Sequence, residues 1–122
     1  MEPGVNGLLL KESLADPGVL ERLRLTRTET WQVQNAAAFQ PPVWTACWFE
    51  ADDDQAETLA AALSQALKPQ GWYINAAAAG WVYVILPGKV VRYARGDTAA
   101  RTAAQQAARE LGVPASQLDW SE

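Results

Sequence analysis

The sequence predicts one α+β domain: an antiparallel sheet of about five strands with two main helices on one face. Three observations carry this. Several stretches have the alternation or β-branched and aromatic content of strands, and two Ala- and Leu-rich stretches repeat at helical spacing. Their order is strands, a helix, three strands and a second helix, which is the order of an antiparallel sheet with appended helices. At 122 residues, 49% of them apolar, the chain has the length of a single domain and needs neither disulfide nor metal to build a core.

Leu8-Leu9-Leu10 with Lys11 reads as a short opening strand, and Asp16-Pro17 as the cap and first residue of a short helix ending at Leu23. Residues 25–34 alternate, which places Leu25, Trp31 and Val33 on one face and Thr26, Thr28, Thr30 and Gln32 on the other. Pro41-Pro42 ends the connection over residues 36–42, and residues 43–51 follow as a strand. There Val43, Cys47 and Phe49 point one way, Trp44 and Trp48 the other.

Residues 52–67 read as a helix with Ala56, Leu59, Ala60, Leu63 and Leu67 on its buried side, and with Asp54 and Glu57 spaced as a capping box. Residues 72–79 and 81–86 are the next two strands. Pro87-Gly88 sets a type II turn into a last strand, residues 90–95. Asp97 caps the second helix, whose stripe of Ala100, Ala103, Ala104, Ala107, Ala108 and Leu111 lets it approach a sheet of large side chains until Gly112 and Pro114 stop it. A ferredoxin-like arrangement is one way to assemble these pieces. The face without helices then needs a partner, a ligand or cover from the N-terminal segment.

Composition removes much familiar chemistry. With no histidine and one cysteine the chain has no His-based metal site, no Ser-His-Asp or Cys-His catalysis and no intrachain disulfide. A net charge of −4 argues against nucleic acid and anionic lipid as partners. No apolar run approaches the roughly 18 residues of a membrane span. Residues 1–14 lack the pattern of a secretory signal, so a cytoplasmic location is expected, and no cofactor is implied.

The phrases Thr28-Glu29-Thr30-Trp31, Gln40-Pro41-Pro42-Val43-Trp44-Thr45-Ala46, Leu67-Lys68-Pro69, Trp72-Tyr73-Ile74-Asn75, Arg92-Tyr93-Ala94-Arg95-Gly96-Asp97 and Gln117-Leu118-Asp119-Trp120 together span nearly the whole chain. In them it resembles a family of short uncharacterised bacterial proteins. The resemblance implies a bacterial cytosolic origin and brings no activity, cofactor or fold with it.

Candidate groups remain. Cys47 has no neighbouring base or cation and reads as a buried structural thiol. The carboxylates Glu50, Asp52, Asp53, Asp54 and Glu57 gather at a strand-to-helix junction, where negative charge stabilises a helix start. Lys89, Arg92, Arg95, Arg101 and Arg109 form a local cationic surplus, and Arg95 lies just before a helix N-terminus, a place suited to an anion. Six tryptophans are the largest departure from average composition; most read as aromatic core, with a stacking surface as the alternative, and Trp120 reads as an anchor for the chain end.

The expected function is a non-enzymatic binding or interaction module acting through an aromatic-rich sheet face or edge, in its simplest form a homodimer, or bound to a protein partner. Its candidate site residues are Trp44, Trp48, Trp72, Arg92 and Arg95. A first alternative is a small-molecule binding protein or small His-free enzyme. The three tryptophans would wall its pocket, Arg92 or Arg95 would anchor an anionic ligand, and acid/base work would fall to Glu29, Glu50, Asp97 or Tyr73. A second is an acidic inhibitor or immunity protein that masks a basic partner through residues 52–57.

Overall fold

A computed structural model describes residues 4–34, 36, 38, 40–69 and 71–120, the side chains of Asp53 and Ser116 excepted. Residues 37 and 39 of the expected 36–42 connection therefore lie outside the described residues. The strands are β1 (Val5–Leu10), β2 (Arg24–Gln32), β3 (Val43–Ala51), β4 (Ile74–Ala78), β5 (Trp81–Leu86) and β6 (Lys89–Ala94), with helices α1 (Ala56–Ala66) and α2 (Thr98–Glu110). They form one six-stranded sheet in the order β2-β3-β1-β4-β5-β6, every pair antiparallel. The expected count of about five falls one short. The opening Leu-rich stretch begins at Val5 and lies inside the sheet between β3 and β4.

The two helices cover opposite faces, which corrects the expectation of one shared face. Alternate residues of β5 part company: Tyr83 and Ile85 pack with Leu59, Ala60 and Leu63 of α1, whereas Val82, Val84 and Leu86 pack with Ala104 and Ala108 of α2. The sequence carries the sign of this, because the uninterrupted apolar run Val82-Tyr83-Val84-Ile85-Leu86 belongs to a strand buried on both sides. The domain has three layers, and a ferredoxin-like arrangement finds no support in this topology.

The segment between β1 and β2 extends the cover on the α1 face. It runs through two short 3₁₀ turns, Lys11–Ser13 and Pro17–Arg22, the second standing where a short helix was expected after Asp16-Pro17. Asp16 caps the second through Gly18 N–H at 3.0 Å. Leu14 bridges to Leu67, and Val19, Leu20 and Leu23 join the core beneath α1. Glu12 reaches back so that its carboxylate accepts from the Thr45 amide at 2.7 Å and hydroxyl at 2.8 Å, holding β3 where β1 turns away.

Two local differences matter for the site. A bulge between Leu25 and Arg27 shifts the register of β2. Leu25 thereby shares the α1 side with Thr28 and Thr30, while Trp31 joins Arg27 and Glu29 on the other side, not Leu25 as simple alternation predicts. The expected capping box is also not formed: the chain makes a 3₁₀ turn over Asp53–Gln55, so that Gln55, without a side-chain bond, stands at the start of α1. The Asp97 cap is as expected, its carboxylate accepting from Ala100 N–H at 3.0 Å.

Candidate functional site

α2 covers only the β4–β6 half of its face. On the other half the rings stand on β2 and β3, where period-two alternation aligns Trp44, Ala46 and Trp48 with Glu29 and Trp31 of the neighbouring strand. Ala46 is the small residue between two large ones. It leaves room for the Trp31 and Trp48 rings to meet edge to face at 5.8 Å, and is itself wholly buried.

Between this aromatic half and α2 lies a half-open cavity of about 480 Å³. Leu8 and Leu10 of β1 form part of its lining, Trp31 and Trp44 stand on one side, and Trp72, Tyr73 and Asn75 enter from the start of β4. The segment after α2 supplies the opposite wall with Gln117, Asp119 and Trp120. Trp44 and Trp72 meet edge to face at 5.4 Å, and Tyr73 and Trp120 at 5.3 Å.

That far wall is firmly tied. The Tyr73 hydroxyl donates to the Gln117 carbonyl at 2.6 Å, Trp120 Nε1 donates to the Tyr93 hydroxyl at 2.9 Å, and Gln105 holds the Leu118 carbonyl at 3.0 Å. Trp120 is buried, as its place near the chain end led one to expect. Other polar atoms of the rings are engaged too: Trp44 Nε1 donates to the Pro41 carbonyl at 2.8 Å and Trp31 Nε1 to Glu29 at 3.0 Å. What the Trp31 and Trp44 rings offer a ligand is therefore carbon and π surface. Among the described residues that line the cavity, Asp119 is the only charged one.

The structure brings two of the five expected site residues together, Trp44 and Trp72. Trp48 stands on the same face outside the cavity, with the Arg27 guanidinium 4.7 Å from its ring centroid. Arg92 projects on the opposite face, over Trp81 at 4.3 Å and 3.7 Å from Glu57 of α1. Arg95 is exposed in the turn after β6, at the sheet end away from the cavity. Neither arginine is placed to anchor an anion there. The acid/base candidates are likewise dispersed: Glu29 pairs with Arg27 and Trp31, Glu50 lies 3.7 Å from Arg24, and Asp97 caps α2. Burial, reinforced by Asp119, pushes the Tyr73 phenol far above its ordinary range despite Arg101, so it stays protonated. Burial pushes the Cys47 thiol up as well, with Glu12 adding to the shift, and leaves it an inert part of the core.

Asp52 and Asp54 are exposed, and among the described residues no three carboxylate or thiol groups converge as a metal site would require. The Asp53 side chain, part of the expected acidic cluster, lies outside the described residues. No described helix is long and apolar enough to cross a membrane. Trp31, Tyr73 and Asn75 were not singled out as lining residues by sequence pattern, although the phrase Trp72-Tyr73-Ile74-Asn75 places alternate residues on the cavity side. The chain matches no family model, no curated protein and no solved structure, so the site rests on its geometry.

Proposed function

We propose that the protein is a non-enzymatic binding module and that the aromatic cleft is where it receives a compact or planar organic group. One observation carries this: the cleft gathers Trp31, Trp44, Trp72, Tyr73 and Trp120, which no periodicity in the sequence requires to meet, around a volume suited to a small ligand. The dispersal of the acid/base candidates favours binding over catalysis, and the absence of a cation among the described lining residues favours a neutral or positive ligand over an anion.

Self-association is the second reading. β2 ends the sheet with nine residues, most of them exposed, so its outer edge is open to a strand from another copy. Its bulge and its charges Arg24, Arg27 and Glu29 are features that discourage edge pairing, which is why the cleft is preferred.

A thermal-shift screen of planar and compact organic compounds tests the proposal, with each hit repeated on Trp31→Ala and on Trp81→Ala, whose ring lies on the other face. Stabilisation lost in the first variant and kept in the second supports the cleft. Hits that survive Trp31→Ala, or no hits, count against it.

A further inference from the structure

We infer that the cleft is selective for a cation of the methylated-ammonium type, held against its indole faces with Asp119 as counter-charge; this rests on the cleft being the binding site. The protein's own use of tryptophan points to a cation. Three of its six indoles carry an arginine: Arg27 lies 4.7 Å from the ring centroid of Trp48, Arg92 4.3 Å from that of Trp81 and Arg101 5.1 Å from that of Trp120. The other three, Trp31, Trp44 and Trp72, have no arginine or lysine over them among the described residues, and all three line the cavity, with Trp120 and its arginine in the opposite wall.

Charge points the same way. An aromatic ring attracts a cation through its quadrupole, by roughly 0.5–1 kcal/mol when exposed and about 2 kcal/mol or more when desolvated. Several rings around one volume add to this while giving an anion nothing. The engaged Nε1 atoms of Trp31 and Trp44 remove two hydrogen-bond donors that would otherwise suit an anion. Asp119 is exposed at the rim of the cavity and supplies the only formal charge among the described lining residues. Arg101 belongs to the same side of the molecule, but its guanidinium donates to the Trp120 carbonyl at 2.7 Å and does not line the cavity. A quaternary ammonium suits such a site better than a primary one, because it has no N–H groups that demand acceptors and a weakly held water shell.

Calorimetric titration of the intact protein with choline and with 3,3-dimethylbutan-1-ol, its uncharged isostere, separates the possibilities. Choline is expected to bind at least tenfold more tightly than the isostere, with Asp119→Asn and added salt each weakening choline several-fold and leaving the isostere unchanged. Equal binding of the two, lost together in Trp31→Ala, overturns the cation selectivity and leaves the cleft intact. Binding of neither compound overturns the inference, and the cleft itself falls if the screen of planar compounds is also empty. Trp31→Phe keeps a ring and is expected to retain most choline binding, which distinguishes loss of π surface from loss of fold.

Discussion

Gln40 and Gln117, 77 positions apart in sequence, exchange hydrogen bonds through their buried side-chain amides at 2.8 and 3.1 Å. Gln40 also donates to the Gly71 carbonyl at 3.2 Å. This pair joins the β2–β3 connection to the segment after α2, so it fixes the two walls of the cleft relative to one another. An amide is suited to this because each side chain donates and accepts at once. Removing either partner takes one donor and one acceptor away from the buried amide of the other. Gln40→Ala or Gln117→Ala is expected to cost about 1–3 kcal/mol. The double variant should cost less than the sum of the two, and urea unfolding of the full cycle measures the difference.

Gly7 lies opposite Phe49 in the middle of the sheet, where a Cβ would stand 2.3 Å from the Phe49 ring and 2.9 Å from the Asn75 carbonyl. The ring occupies the space a side chain would need. Gly7→Ala is expected to destabilise the domain by about 1–3 kcal/mol. Gly7→Ala combined with Phe49→Leu should recover part of that loss in denaturant unfolding if the clash is the cause.

The β4–β5 turn places Ala79 at φ 51° and Gly80 at φ 85°. Two successive positive φ values are the geometry of a type I′ hairpin turn, for which Asn-Gly is the favoured pair, and alanine pays a steric penalty there. Ala79→Asn or Ala79→Gly is expected to raise stability by about 0.5–1 kcal/mol. A fall in melting temperature for both variants would contradict this turn geometry.

Glu12 makes stability depend on acid. Burial pushes its carboxyl up, but the Thr45 amide and hydroxyl, its own backbone amide and Lys11 outweigh that and hold it below its ordinary value of 4.5. A folded-state value below the unfolded one gives stability that is complete above the unfolded value and is lost as pH falls through the folded one. Tyr73 has the opposite sign: its phenol lies above the ordinary 10.0, so the protonated folded state loses stability as pH rises past that value. Thermal melts across pH are expected to show a shallower acid limb in Glu12→Gln and a shallower alkaline limb in Tyr73→Phe. Unchanged limbs would dissociate these groups from the pH response.

Much of the fold was legible because it rests on local signals: the Asp97 cap, the Pro87-Gly88 turn with Gly88 at φ 73°, and the period-two placement of Trp44 and Trp48. The misplaced helix came from reading helix placement off the order of the elements, when the unbroken apolar run of β5 meant two buried faces. Leu25 was put on the wrong side because a bulge adds one residue to a strand without leaving any mark in the hydrophobic pattern. The cleft was half legible. Trp44 and Trp72 were found by residue type, but Tyr73, Gln117 and Trp120 join them only because residues 113–120 fold back over the sheet, and contacts such as Gln40 to Gln117 have no periodicity to reveal them. Arg92 was chosen for its charge, and the structure gives that charge to Trp81 and Glu57 on the far face.

The most direct measurement is an NMR titration of protein labelled with ¹⁵N at the tryptophan indoles, with choline and then a neutral aromatic alcohol added in turn. The signals of Trp31, Trp44 and Trp72 are expected to move and saturate while that of Trp81, on the opposite face, stays in place. Movement confined to Trp81, or no saturable movement with either compound, would contradict the assignment of the aromatic cleft as the binding site.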